Sequence, residues 1–399
     1  MSSQVLCAYP NTQQTFDRKG EQDSGTCEEP LSMPAEEGYG YYSSAVVGHR
    51  LGQYKIVRKL RWARASSIWL CVDTAAPHKT YVAVKILSAH ATGCIVGGLS
   101  TEYNVFRRIE SANPCHPGFA HCLAIQHCFT VHSSAGGHIC FVTDVLGPNM
   151  MTLRSAQPNQ TFPMSVAKRI IKQILLSVDY LHRECGYIHT DIKADNVLAS
   201  LPDPIVPQID KYVEDHQSAT YDNLKPSCQI IKSHPLTNFN LDLRHLRVRL
   251  IDYDEASPID KHHDDQCQAA IVRAPEVTLG YTWSTPVDIW SVGCLVFELV
   301  TNSHLFGQPG PYSASVHLQS MVEYLGSFPP QFLEACSRSL LRVTDFMPTD
   351  LEEILYSLGT VQADDIPGVA AFMRQCLALD PASRPSALQL LNDKWLKDL

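Results

Sequence analysis

No apolar run in this 399-residue chain approaches the ~20 residues that a bilayer-spanning helix needs, and the most apolar stretch, Val287–Val300, is interrupted by Asp288 and Glu298. A membrane-embedded protein is therefore not expected. The fourteen cysteines include no Cys-x-x-Cys pair and no secretory signal opens the chain, which argues against a disulfide framework and for a reducing compartment, cytoplasmic or nuclear. Cys115, His116, His121, Cys122, His127 and Cys128 lie close together, but their spacing does not match a paired zinc knuckle. Dense Lys/Arg clusters are missing too. Charged residues make up only 18% of the chain and the formal net charge is −9, a balance that disfavours direct binding to nucleic acid or to an anionic membrane and suits a basic partner. No internal repeat is present.

What remains is 45% hydrophobic, enough for one large or two moderate cores. Residues 1–45 are rich in Ser, Gln, Glu, Gly and Pro with little periodic hydrophobicity, the composition of a flexible leader. Short apolar runs at Tyr54–Leu60, Ser67–Val72, Tyr81–Leu87, Cys128–His132 and His138–Val142 predict an antiparallel sheet. One helix interrupts it, because Tyr103, Phe106 and Ile109 recur at helical spacing within Ser100–Ser111. Beyond Gly147 the pattern turns helical, at Met164–Glu184, Val287–Val300, Ser315–Leu325 and Gly368–Leu379. The expected fold is α+β, with a small sheet lobe over residues 54–146 and a larger, mainly helical lobe over 147–399. Within the second lobe, residues 202–246 are rich in Pro and polar residues and lack strong periodicity, so they are expected to form a partly mobile insertion.

The strongest chemical signal is Tyr187-Ile-His-Thr-Asp-Ile-Lys-Ala-Asp-Asn-Val-Leu198, a loop after an apolar helix. Phosphoryl transfer needs a carboxylate to accept the substrate hydroxyl proton, a cation near the migrating group and an amide oxygen to hold a metal ion; Asp191, Lys193 and Asn196 supply these in order. Upstream, Lys85 ends a strand-like run where its ammonium can reach nucleotide phosphates, and Glu102 lies on the intervening helix to pair with it. Downstream, Asp252 follows a short apolar strand and is placed to chelate magnesium. Ala274-Pro-Glu276 closes that segment. Asp288 is expected to brace the catalytic loop and Arg384 to pair with Glu276.

Taken in order, these residues resemble the protein kinase family from about residue 50 onward. Several phrases are similar to SR-protein kinases, which act on Ser/Arg-rich proteins: Tyr41-Tyr42, Arg58-Lys-Leu-Arg-Trp62 with Ile68-Trp-Leu70, Val145-Leu-Gly-Pro-Asn149, and His189-Thr-Asp-Ile-Lys193. The resemblance implies a Ser/Thr protein kinase using ATP and Mg2+, on a protein substrate whose Arg residues flank the Ser. It implies a nucleotide between the lobes, roofed by Leu60, Ile68 and Ala83, with the backbone around Asp144–Leu146 on the base edge and Thr143 behind it. Thr190 stands where most of the family has the Arg that anchors an activation-loop phosphate, so activity is expected to be constitutive. The acidic stretch Asp345–Glu353 is one candidate substrate-docking surface. A monomer is expected.

Three departures from the family pattern bear on activity. The phosphate-covering turn reads Arg61-Trp-Ala-Arg-Ala-Ser66 and has lost its glycines, Asp254 replaces the Gly that ends the metal-binding turn, and Ala269 replaces a hydroxyl residue that faces the catalytic Asp. Weakened nucleotide binding is the expectation. The alternative to an active kinase is a catalytically impaired pseudokinase that binds partners through the same fold; phosphorylation of a small molecule is a third reading, and the Ala-Pro-Glu segment argues against it.

Overall fold

The computed structural model describes residues 28–221, 230–237, 239–261, 263, 265–338 and 348–397. Strands β1 (Arg50–Leu51), β2 (Tyr54–Ala63), β3 (Ser66–Asp73) and β4 (Thr80–Leu87) precede helices α1 (Ala89–Val96) and α2 (Glu102–Ser111), and β5 (Ile125–Ser133) and β6 (Gly136–Thr143) follow. They form one antiparallel sheet in the order β1-β2-β3-β4-β6-β5. Alternation at period two gives this sheet two apolar faces. Ile56, Trp69, Cys71, Val82, Val84 and Ile86 pack with Cys140 and Val142 on one face, while Leu60, Leu70, Tyr81 and Ala83 lie on the other. Helix α2 buries Glu102, Val105, Phe106 and Ile109 and leaves Arg107 and Glu110 outside, so its hydrophobic stripe carries Glu102 inward.

The chain then crosses through β7 (Leu146–Asn149), α3 (Met150–Ser155) and α4 (Met164–Asp179) to β8 (Tyr187–Ile188) and β9 (Val197–Ser200). After α5 (Ile205–Asp215) come β10 (Val248–Leu250), β11 (Ser257–Pro258), α6 (Pro275–Leu279), α7 (Pro286–Thr301), α8 (Ala314–Leu325), α9 (Pro330–Ala335), α10 (Leu351–Leu358), α11 (Ile366–Cys376) and α12 (Ala387–Leu390). Short sheets β10-β9-β7 and β11-β8 flank the loop that carries Asp191. Helix α7 is mostly apolar and buried on all sides from Val287 to Thr301, Asp288 and Glu298 included, which makes it the axis of the helical core. Gly293 lets α11 approach it: a Cβ there would stand 2.8 Å from the Cβ of Cys376 and the side chain of Leu377. No helix among the described residues is long and apolar enough to cross a membrane.

Two expectations need correction. Residues 28–45 of the supposed leader are built into the sheet lobe. Lys59, wholly buried on β2, takes Glu28 and Glu29 at 2.6 and 2.5 Å, and Ala45 joins the outer apolar face. Polar composition hid this because the contacts are ionic and aromatic, not periodic. The insertion, in turn, opens with α5, whose Ile205, Val206, Ile209, Tyr212 and Val213 fall on one helical stripe and pack on Leu60, Leu70, Tyr81 and Ala83. Three prolines, at 202, 204 and 207, masked that period. Residues 222–229 and 238 of the insertion lie outside the described residues.

Candidate active site

The loop from β8 to β9 is shaped by one carboxylate. Asp288, in the first turn of α7 and 0% exposed, accepts the backbone N–H groups of His189 and Thr190, both at 2.8 Å, and its Oδ2 lies 2.8 Å from His182 Nε2. Burial works against its charge, but the hydrogen bond and charge of His182, then His189, outweigh it and hold the carboxyl below its ordinary pKa. Thr190 sits at φ 69°, a region costly for a β-branched residue, and its hydroxyl donates to Glu255 O at 2.9 Å. This twist sets Asp191 and Lys193 with a 2.6 Å contact between Asp191 Oδ2 and Lys193 Nζ. Asn196 Nδ2 donates to Asp191 O at 3.0 Å and to Asp191 Oδ2 at 2.8 Å, and its own Oδ1, buried, has no hydrogen-bond partner among the described residues.

Across the cleft, Lys85 Nζ donates to Glu102 Oε1 at 2.5 Å and to Asp252 Oδ1 at 3.4 Å. Burial opposes the ammonium charge, yet the carboxylates of Glu102, Asp252 and Asp254 more than offset it and raise the Lys85 pKa. Asp252, at φ 71°, is held ionised by Lys85, Arg61, His189 and Lys193 against its burial. Asp254 is exposed at its surface, yet the protein crowded around it and then the Asp252 carboxylate push its pKa up. Tyr253 between them points inward, with its ring 5.3 Å from Phe106 of α2 and 5.6 Å from His189, which ties the helix bearing Glu102 to the catalytic loop. Ile251 N–H donates to Asn196 O at 2.9 Å and joins the two metal-donor candidates.

A cavity of about 750 Å3 opens beside these groups. Leu60, Ile68 and Ala83 line it from the sheet, Thr143, Asp144 and Leu146 from the connection to the helical lobe, and Leu198 and Ile251 from below. Leu60, Ile68, Ala83, Asp144 and Leu146, expected around a nucleotide, thus share one cavity; Lys85, Glu102, Asp191, Lys193, Asn196 and Asp252 do not line it, and their chain neighbours Ile251 and Asp195 do. Asp144 is pinned by Arg249 at 2.5 Å and by Gln126 at 2.5 Å. The glycine-free turn is a tight hairpin in which Ala63 pairs with Ser66, and none of residues 61–66 has positive φ, so its backbone does not demand glycine. Tyr41 OH caps it by donating to Ala63 O at 3.0 Å and Arg64 O at 2.6 Å.

Around Ala269 the chain is fastened by Gln268 and Arg273, which no motif marks, and by the Arg384–Glu276 pair that the sequence predicts. Gln268 Nε2 donates to Val287 O at 2.9 Å and Ser291 Oγ at 2.8 Å, while its Oε1 accepts Ala274 N–H at 2.8 Å. Arg273 donates to Cys267 O and Gln268 O. Arg384 and Glu276 form a two-pronged, fully buried pair at 2.5 and 2.7 Å. No local motif marks Gln268, because its partners lie 19 and 23 residues away on α7.

An α+β fold of two lobes with a Lys–Glu pair, a loop Asp–Lys–Asn set and an Asp at an interlobe cavity is the architecture of phosphoryl-transfer enzymes. The model of the protein kinase domain matches residues 64–210 and 211–396, and the chain belongs to that family. It is similar to a serine/threonine protein kinase of Aspergillus fumigatus, 29% identical with 94% of this chain and 92% of the relative covered, and to the serine/threonine-protein kinase SRPK of Physarum polycephalum, 28% identical with 90% and 89% covered. SRSF protein kinase 3 of Homo sapiens is 22% identical over 93% of this chain and 91% of its own. The crystal structure of a kinase domain superposes with a TM-score of 0.64 at 22% identity, covering 90% of this chain and 99% of that one. The resemblance to SR-protein kinases therefore extends over most of the chain, and the family implies ATP and a divalent metal. The residues fit such a metal. Asn196 Oδ1 is a buried acceptor with no partner among the described residues, Asp252 is held ionised, and an all-oxygen donor set suits a hard cation such as Mg2+.

Proposed function

We propose that this protein transfers the γ-phosphate of ATP to serine or threonine hydroxyls of Arg/Ser-rich proteins. Asp191 is the proton acceptor. Its Oδ2 is engaged by Lys193 and Asn196, which leaves Oδ1 to take the hydroxyl proton as the substrate oxygen attacks the γ-phosphorus. Lys193, whose pKa is raised by Asp191 against the effect of burial, keeps its charge for the migrating phosphoryl group. Lys85, oriented by Glu102, holds the α- and β-phosphates, and Leu60, Ile68, Ala83, Asp144 and Leu146 enclose the base and ribose. Asn196 and Asp252 would hold magnesium, which when bound neutralises charge on the phosphate oxygens.

The observation that carries this reading is the closed Lys85–Glu102 pair with Asp252 within 3.4 Å, in a chain where Thr190 replaces the usual phosphate-binding arginine. The constellation is assembled without a phosphorylated loop, and that favours the active kinase over the pseudokinase. For the substrate, Glu323, Asp350 and Glu353 line a cleft of about 350 Å3 on the helical lobe, and their charge suits an arginine-rich segment. Arg374 already pairs with Asp350 and Glu352 at its edge. The Asp345 end of the expected acidic stretch lies outside the described residues. The protein is proposed to work as a monomer in the cytoplasm or nucleus, without contacting nucleic acid.

The test is Mg-dependent transfer of labelled γ-phosphate from ATP to an Arg/Ser-repeat peptide, with Asp191→Asn alongside. Transfer by the parent, lost by at least ~100-fold in the variant, is expected. Equal rates in the two proteins, or none in the parent, would remove the kinase assignment.

A further inference from the structure

The nucleotide cavity has a wall that the catalytic groups do not supply. Ser233, Pro235, Leu236 and Thr237 of the insertion line it. This segment is fastened along its length. His234 N–H donates to Lys59 O of β2 at 3.0 Å, Ser233 N–H and Oγ–H donate to Glu28 at 2.9 and 2.7 Å, and Tyr212 OH donates to Pro235 O at 2.7 Å. Glu28 in turn binds the buried Lys59 at 2.6 Å, so leader, sheet and insertion share one knot. Leu236 is the large apolar side chain in the segment. It is only 3% exposed, it lines the cavity, and it belongs to the same packed cluster as Leu60 and Ala83, the roof of the slot.

We propose that Leu236 is a nucleotide-specificity residue that encloses the purine base together with Leu60 and Ala83, so that the insertion decides which base substituents the site admits. The proposal rests on the kinase reading for its ligand, a purine nucleoside triphosphate. A leucine side chain offers the base only shape and apolar contact. It therefore discriminates by volume and not by hydrogen bonding, and the effect of trimming it is bounded at roughly ten- to a hundredfold. The wall is stiff because the segment behind it is tied to β2, α5 and Glu28; a bulky base substituent aimed at it meets packed atoms and has no room to displace them.

The measurement is direct binding of N-methylanthraniloyl-ATP to the full chain, with displacement by ATP and by a panel of analogues extended at C2, N6 or C8. Leu236→Ala is expected to weaken ATP about tenfold and to admit at least one analogue that the parent excludes, while Leu236→Phe weakens ATP and admits none. Ile209→Ala, in the same cluster but away from the cavity, serves as the packing control and is expected to leave both preferences near the parent values. Unchanged ATP binding and an unchanged analogue profile in Leu236→Ala would overturn the proposal. So would an Ile209→Ala variant that reproduces the Leu236→Ala profile, since loosened packing alone would then account for it. Binding is read without turnover, so a parent that binds nucleotide but transfers no phosphate sinks the kinase assignment and leaves this inference standing. A parent that binds none overturns both.

Discussion

Asp288→Asn separates the role of a buried carboxylate from that of its shape. The parent side chain accepts two backbone N–H groups, one on each oxygen, and the His182 ring stands beside Oδ2. An asparagine keeps one acceptor and turns an N–H toward the other donor, leaving at least one buried amide unsatisfied. Hydrogen bonds to a charged acceptor contribute about 1.5–3 kcal/mol and a stranded buried donor costs about 1–3 kcal/mol, so a loss near 3 kcal/mol is expected. The loop that this carboxylate twists also holds Thr190 at φ 69°, and relaxation there shifts Asp191; kcat is expected to fall ~100-fold while KM for ATP moves little. Linkage adds a pH signature. The folded pKa lies below the reference value of 3.8, so the stabilisation is complete above about pH 4 and is lost as pH falls through the folded pKa. Urea unfolding from pH 7 down to pH 3, paired with steady-state rates, reads both effects. A variant as stable as the parent at pH 7, with unchanged kcat, would refute the reasoning.

Gln268→Ala removes three hydrogen bonds that hold the substrate-side segment, and is expected to raise KM for the peptide about tenfold with nucleotide affinity unchanged; peptide titrations at saturating ATP check it. Tyr41→Phe loses the two bonds capping the 61–66 hairpin, with an expected cost of about 1 kcal/mol in nucleotide affinity and little change in kcat, read by nucleotide titration. Gly293→Ala forces a methyl against Cys376 and Leu377 where α7 meets α11, so a loss of about 1–3 kcal/mol in chemical denaturation is expected; an unchanged midpoint would mean the helices can separate freely.

Elements with a strong period were legible in the sequence. The five strand runs and the axis helix α7 fall within a few residues of their predicted bounds, because burial on one face, or on all sides, writes itself into residue order. The contacts among Asp191, Lys193 and Asn196 were legible because the three lie within one loop, and that of Lys85 with Glu102 because strand and helix carry them in a fixed order. Helix α1 was missed: Gly93 and its small residues give it little hydrophobic contrast. The folded part of the leader and the wall at Ser233–Thr237 were invisible for another reason. Their partners are Lys59, Leu60 and Glu28, residues remote in sequence, and no local spacing encodes a contact of that range. Loss of the glycines removes room for close backbone approach to a phosphate, but it imposes no backbone strain, since the turn needs no positive φ and has its own cap.

The knot at Lys59 has a consequence for how ligand binding is felt through the molecule. Glu28 and Ser233 are separated by 205 positions, so their union ties two remote parts of the chain to one strand. That tie braces the side of the cavity lined by Ser233 and Leu236. A ligand that fills this cavity would therefore hold the N-terminal segment, the sheet and the insertion together, and its binding would stabilise all three at once.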